Sequence, residues 1–172
     1  MSIKKIAVIG PESTGKSTLS EALAKELNTV YVPEYARTYL EQLNRPYNES
    51  DLLEIANGQL KSEQEMHSKA NRYLICDTNL YVLKVWSEHK YSQCHKSILE
   101  SIATQHYDMF LLTYIDTDWQ YDPLREHPQE EMRLYFYKQF EDLVINSNTP
   151  FLVVKGEENE RLLIALNAIN QL

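Results

Sequence analysis

The stretch GPESTGKS at residues 10–17 decides the fold, because it has the form G-x-x-x-x-G-K-S. It follows the hydrophobic run IAVI at residues 6–9 and opens a helical pattern, which is the context of a phosphate-binding loop. Backbone N–H groups of such a loop cradle phosphates, and its glycines leave room for the phosphates to approach. We therefore predict that the chain binds ATP or GTP.

The roles expected within this loop follow from its chemistry. Lys16 reaches the β- and γ-phosphates, and the Ser17 hydroxyl is a ligand for Mg²⁺. A glycine-rich turn without a ligand is the alternative, and the spacing favours the phosphate-binding loop. The residues predicted to hold the nucleotide phosphates are Gly10, Glu12, Ser13, Thr14, Gly15, Lys16, Ser17 and Thr18.

Length and composition limit the class of protein. The 172 residues are enough for one domain, so we expect a single domain over 1–172. The formal charge of -8 argues against a nucleic-acid partner. The two cysteines, Cys76 and Cys94, form no metal or disulfide pattern, and no apolar run is long enough to span a bilayer. We expect a cytoplasmic protein that binds no membrane; whether it forms a homo-oligomer is left open.

Short apolar strands alternate with helices along the chain, which predicts an α/β fold with a parallel sheet covered on both faces. Strands are predicted at 3–9, 29–32, 73–76, 109–112 and 151–154. Helices are predicted at 16–27, 34–43, about 48–70, from 79 onward, 94–104, 129–146 and 158–169. The expected architecture is a three-layer αβα P-loop NTPase with a five-stranded parallel sheet. The segment from about 116 to 133 has no periodicity over most of its length and is interpreted as a lid.

Two carboxylates come directly after predicted strands, where ligands of such sheets bind. Glu34 follows the second strand and Asp77 follows the third. One of them could accept the proton of an attacking hydroxyl while the other holds Mg²⁺ through its water shell. Capping of the next helix is the alternative for Asp77, and a favourable helix dipole is the alternative for Glu34. Spacing does not decide which of the two takes the proton.

The predicted lid supplies further candidates. Arg125 could close over the phosphates and stabilise the charge that builds up on the transferred group. Arg133 is a weaker candidate, and a surface ion pair is the alternative for both. Trp119, in an acidic stretch, suits a planar cation, although it could instead anchor the loop. Trp86, by contrast, lies on a helical apolar stripe, and we expect it to pack in the core. Arg37 could point into the same cleft.

The fifth strand is followed by Lys155 and Arg161, which we expect to border adenine unless they serve only to pack the helix end. Two strings typical of signalling GTPases, N-K-x-D and D-x-x-G, do not occur in the chain. A small-molecule kinase is therefore the favoured enzyme class.

Several blocks of the sequence together resemble one family. They are GPESTGKSTL at 10–19, VPEYAR at 32–37, DLLEIANGQ at 51–59, CDT at 76–78, KVW at 84–86, YD at 107–108 and DPLR at 122–125. The chain resembles the ribosylnicotinamide kinase domain of NadR-type proteins, among the P-loop AAA-like and nucleoside kinases. This resemblance covers nearly the full chain. It implies that ATP and Mg²⁺ are used to phosphorylate the 5′-hydroxyl of nicotinamide riboside, giving nicotinamide mononucleotide for NAD salvage.

The acceptor of that reaction is a planar pyridinium cation, which agrees with an acidic loop that carries a tryptophan. Two alternatives stay open: a kinase for another nucleoside, and a nucleotide-binding ATPase or interaction module that transfers no phosphate to a small molecule. The acceptor is expected to lie among Glu34, Tyr35, Arg37, Asp77, Trp119 and Asp122, with Lys16 and Arg125 completing the catalytic set.

Overall fold

The sheet predicted from the sequence is present in the computed structural model, which describes residues 2–172. Five parallel strands lie in the order β2-β3-β1-β4-β5. Their bounds are β1 Lys4–Ile9, β2 Tyr31–Val32, β3 Tyr73–Asp77, β4 Met109–Thr113 and β5 Phe151–Val154. The predicted α/β fold with a five-stranded parallel sheet is confirmed.

Helices connect the strands and cover both faces of the sheet. Their bounds are α1 Lys16–Glu26, α2 Tyr35–Gln42, α3 Glu49–His67, α4 Leu80–Tyr91, α5 Lys96–Thr104, α6 Glu130–Asn146 and α7 Glu158–Ile169. No helix within residues 2–172 has the length and apolar character needed to cross a membrane.

The central strand β1 explains the three layers. Its side chains alternate, so Ile6 and Val8 pack with α1 and α7 on one face. Ala7 and Ile9 pack with α4 and α6 on the other. All four side chains are fully buried. Burial on both faces is the reason that the strand lacks alternation between apolar and polar residues in the sequence.

Several boundaries differ from the sequence prediction by one to three residues. Strand β2 covers two residues rather than four, because the Thr29 amide donates to the Ala24 carbonyl at the end of α1 and its hydroxyl donates to the Tyr73 carbonyl. Helix α3 ends at His67 rather than near residue 70.

The segment between β4 and α6, residues 114–129, contains neither helix nor strand, and we call it the lid. It includes most of the lid predicted from the sequence, whereas residues 130–133 form the first turn of α6. The lid leaves the carboxyl end of β4, next to the phosphate-binding loop.

Candidate active site

The phosphate-binding loop joins β1 to α1 and is shaped by three residues with positive φ. Gly10 has φ 147°, and a Cβ there would lie 2.4 Å from Thr113 Oγ1, so only glycine lets β4 approach this closely. Ser13 and Gly15 have φ of 56° and 75°. Gly15 is the N-cap of α1 and supplies no side-chain cap. The first amides of α1 are thus without a side-chain acceptor, as an anion site requires.

Lys16 stands at the first position of α1 and reaches back over the loop. Its Nζ donates to the Pro11 carbonyl at 2.7 Å. Burial lowers the pKa of the Lys16 ammonium, while the charges of Glu34, Asp77 and Glu12 raise it. The Lys16 ammonium is therefore within electrostatic reach of three carboxylates.

Asp77 ends β3 and is 2% exposed. Its Oδ1 is buried and has no hydrogen-bond partner. Burial, followed by the charge of Glu34, raises the pKa of this carboxyl to about 6, although the neighbouring Ser17 and Lys16 lower it. The cap of α4 is Asn79, whose side chain accepts from the Tyr81 amide at 3.1 Å. Helix capping therefore does not account for Asp77.

Glu34 is the N-cap of α2, and its side chain makes no capping hydrogen bond. It lines the same cleft as Lys16 and Arg37. Its charge raises the pKa of Lys16, of Arg37 and of Asp77. The structure therefore brings the two predicted carboxylates to one place beside the loop.

A cleft of about 240 Å³ opens from the loop toward α4 and α6. Its polar end contains the loop, Glu34, Arg37 and Arg125, and its other end is lined by apolar and aromatic side chains of α2, α4 and α6. Trp86 lies on this apolar wall and donates from Nε1 to Tyr47 Oη at 2.7 Å. Sequence reasoning took Trp86 as core. Val82 also lines the cleft, and its spacing of four residues from Trp86 is the sequence signal that both lie on one face of α4.

The lid lies over the polar end of the cleft. Arg125 lines it and donates to Ser13 Oγ at 3.3 Å and to the Gln120 carbonyl at 2.6 Å. Asp122 lies behind the lining and pairs with Arg37 at 2.9 Å. Arg133 is 6% exposed and donates to the Ser13 carbonyl at 3.2 Å. The lid and the loop are thus joined by several hydrogen bonds.

Besides Asp77 and Asp122, four predicted site residues lie outside the lining of the cleft. The Tyr35 ring packs on α3 at Gly58, where a Cβ would lie 2.0 Å from the ring. Trp119 meets Tyr121 edge to face with centroids 6.4 Å apart. Lys155 is exposed beyond β5.

Arg161 is the fourth of these residues, and it is 3% exposed beneath the loop. Its guanidinium donates to the Thr14 and Gly156 carbonyls, each at 2.7 Å, and pairs with Asp116. It is therefore bound to the loop backbone from below. Thr14, also buried, donates to the Pro11 carbonyl at 2.8 Å. Both side chains fix the shape of the loop.

Mg²⁺ was predicted at Ser17 and Asp77. Among residues 2–172, no cluster of three or more His, Cys, Asp and Glu side chains could hold a metal ion by itself. The Asp77 carboxylate beside Ser17 nevertheless fits a cation, because its Oδ1 is buried and has no hydrogen-bond partner within the protein.

Comparison with known proteins supplies the family. A sequence model described as "AAA domain" matches residues 5–161. The chain belongs to this AAA-domain family. The trifunctional NAD biosynthesis/regulator protein NadR of Escherichia coli K12 is 25% identical to the AAA-domain chain over 162 residues, which are 91% of this chain and 39% of that protein. NadR of Salmonella typhimurium is 24% identical over 159 residues, 89% of this chain and 38% of the relative.

Solved structures agree on the fold of the AAA-domain chain. A crystal structure of NadR protein in complex with NR has a TM-score of 0.80 at 23% identity, over 98% of this chain and 50% of that one. The crystal structure of NadR protein in complex with NAD and AMP-PNP has a TM-score of 0.78 at 24% identity, over 98% of this chain and 49% of that one. Thymidylate kinase from Ehrlichia chaffeensis has a TM-score of 0.65 at 17% identity, over 98% of this chain and 100% of that one.

The AAA-domain chain thus spans well under half the length of the curated relatives that it matches. It has a P-loop kinase-like fold, and most of its length is homologous to a part of NadR, as the resemblance predicted.

Proposed function

We propose that the chain is an ATP-dependent kinase that transfers the γ-phosphoryl group to the 5′-hydroxyl of nicotinamide riboside. One observation carries this proposal. A buried carboxylate with an unpartnered oxygen, Asp77, lies behind Ser17 and Lys16 of the phosphate-binding loop, and these two residues line a cleft whose far wall is apolar and aromatic. A site for hydrolysis alone has no use for that wall, whereas a planar acceptor does.

The phosphate end of the cleft would bind the nucleotide. The amides of the loop and of the first turn of α1 face the phosphates, and Lys16 leaves the Pro11 carbonyl to neutralise charge on the transferred group. Ser17 and Asp77 would hold Mg²⁺, which when bound neutralises charge shared by the β- and γ-phosphates. Lys155 stays a proposed neighbour of adenine, whereas Arg161 would act only through the loop that it supports.

Proton transfer belongs to Asp77 or Glu34 in this proposal. Asp77 has a pKa of about 6, so it is ionised at neutral pH and still basic enough to accept a proton from a hydroxyl that is losing one. Glu34 lines the cleft directly. If Asp77 is occupied with the cation, Glu34 orients the hydroxyl and takes its proton.

The apolar end of the cleft would bind the acceptor. The indole of Trp86 offers a face for a pyridinium ring, and the Glu34 and Glu126 carboxylates in the same lining favour a cation. The pair of Arg37 with Asp122 borders this end. Trp119 and Tyr35, which lie outside the lining, would meet the acceptor only after a movement of the lid or of α2.

The experiment is a mass-spectrometric assay of the full chain with ATP, Mg²⁺ and a mixture of nicotinamide riboside, thymidine, deoxyadenosine and uridine. We expect one product, nicotinamide riboside with one added phosphoryl group. A parallel reaction with GTP tests the choice of nucleotide. Lys16→Ala is the inactive control, and Lys25→Ala, an exposed lysine on α1, is the matched one.

Two other outcomes have definite meanings. Phosphorylation of another nucleoside alone keeps the enzyme class and replaces the acceptor. Saturable ATP binding without any phosphorylated nucleoside favours an ATPase or interaction module and contradicts the proposal.

A further inference from the structure

Glu12, the third residue of the phosphate-binding loop, is bonded to the lid. Its carboxylate accepts from the Glu126 amide at 3.0 and 3.2 Å and from the His127 amide at 2.6 Å. Both oxygens are therefore used by the backbone of a segment that is more than 110 residues away in the chain. The lid has no helix or strand of its own to hold it in this position.

A carboxylate at this place needs an explanation, because the loop is built to receive a polyanion. Phosphate binding uses backbone amides and Lys16, and a negative side chain beside them opposes it. The charge of Glu12 acts on both Lys16 and Arg133, so it lies within electrostatic reach of the phosphate end. The role of Glu12 is therefore to be sought in the lid rather than in nucleotide affinity.

The lid residue next to the bonded amides is Arg125. Its guanidinium has two acceptors, Ser13 Oγ and the Gln120 carbonyl, and both belong to the loop or the lid itself. The direction of the Arg125 side chain thus depends on where the backbone at 125–127 lies. Glu126 is held from its other side by Tyr47, whose Oη donates to Oε1 at 3.1 Å.

We propose that Glu12 is a positioning residue for phosphoryl transfer: it anchors the lid backbone at 126–127 and thereby sets the Arg125 guanidinium over the transferred phosphoryl group. This inference rests on the proposed kinase function. Because Glu12 belongs to the loop and its carboxylate binds lid amides, the lid can open only if these hydrogen bonds break. A shift of the loop would therefore shift the lid.

Amide hydrogen exchange tests the anchor without any reaction. In Glu12→Ala the Glu126 and His127 amides lose protection, roughly tenfold or more, since bonds to a charged acceptor are lost. The Leu124 and Arg125 amides keep theirs, because they donate to Asp122. Glu100→Ala, which removes an exposed carboxylate on α5, is the control and leaves all four unchanged. Equal protection at 126–127 in the wild type and in Glu12→Ala overturns the proposal.

Kinetics test the positioning of Arg125. Glu12→Ala should lower kcat while the Kd for ATP stays equal or becomes tighter, and Glu12→Gln, which keeps one acceptor oxygen, should retain more of kcat. The double variant Glu12→Ala/Arg125→Ala should be no slower than Arg125→Ala, because both changes remove the same interaction. Additive losses, or a loss that appears only as weaker ATP binding, contradict the inference.

The two failures can be told apart. If the wild type phosphorylates no nucleoside, the proposed function fails, while hydrogen exchange still decides whether Glu12 anchors the lid. If Glu12→Ala does not fold, Glu12→Gln gives the same exchange measurement, with a smaller loss expected at 126–127 and an unchanged pattern counting against the anchor.

Discussion

Two arginines bind the phosphate-binding loop from opposite sides, and they differ in how completely they are bonded. Arg161, below the loop, is 3% exposed and has four acceptors, of which three are backbone carbonyls and one is Asp116. Arg125, above the loop, is half-buried and has two. A guanidinium whose donors are used by fixed carbonyls belongs to the scaffold. One with donors to spare can still bind phosphate.

Arg161→Ala should have the largest effect on stability. It leaves three carbonyls and the Asp116 carboxylate without their buried partner, so the free energy of unfolding should fall by about 3 kcal/mol. Urea unfolding measures it, and Arg125→Ala is the matched control, expected within about 0.5 kcal/mol of the wild type. If the two variants lost equal free energy of unfolding, Arg161 would be no more a part of the scaffold than Arg125.

Arg125→Ala should affect the reaction far more than the stability. Loss of a donor that acts on charge in the transition state should lower kcat roughly 10²- to 10³-fold. The KM for ATP should change little, because Lys16 and the loop amides remain. A change in KM with kcat intact would make Arg125 a binding residue of the ground state instead.

Asp77 is as buried as Arg161, but we expect it to serve the reaction rather than the fold. The pH dependence of the free energy of unfolding tests this. Burial raises its pKa from 3.8 to about 6, so the folded state prefers the protonated form. This preference is full below pH 4 and is lost as the pH rises through 6, which lowers the stability of the wild type by up to about 3 kcal/mol. Asp77→Asn should therefore be the more stable protein at pH 7 and should match the wild type at pH 4.

The activity of Asp77→Asn should move in the opposite direction, with little turnover at any pH. The wild-type rate should rise with pH through about 6 as the carboxyl ionises. Unfolding curves and rates across pH 4–8 provide the measurement. A variant that is less stable than the wild type at pH 7 would mean that Asp77 serves the fold.

The two tryptophans give the smallest expected effect. Trp86→Ala should raise the KM for the acceptor roughly tenfold, as loss of one stacking surface does. Trp119→Phe should leave that KM unchanged, because Trp119 lies outside the cleft. Initial rates at saturating ATP measure both. If Trp119→Phe raised that KM and Trp86→Ala did not, the acceptor would bind at the lid, as the acidic stretch around Trp119 suggested.

The sequence predicted the sheet and the loop well, because both depend on local patterns. Buried strands have continuous apolar runs, and the loop has a fixed spacing. The rule that ligands lie beyond the strand ends also found Glu34 and Asp77, which the structure brings together.

The rest of the site depends on contacts that no local pattern contains. Arg161 reaches the Thr14 carbonyl across 147 positions of the chain, so its support of the loop is invisible before folding. Trp86 was taken as core because a helical stripe does not tell which part of it faces a cleft. Trp119 and Tyr35 were predicted to bind the acceptor from their residue types and their neighbours in the sequence. Neither observation tells how their side chains are oriented.

The most direct test of the account is the rate at which phosphorylated nicotinamide riboside forms from ATP, Mg²⁺ and the nucleoside, in the wild type and in Lys16→Ala. We expect turnover by the wild type, a product that carries phosphate at the 5′ position, and a loss of at least roughly 100-fold in a variant that remains folded. A wild-type protein that binds ATP and forms no such product, or a Lys16→Ala variant with an unchanged rate, would contradict the account.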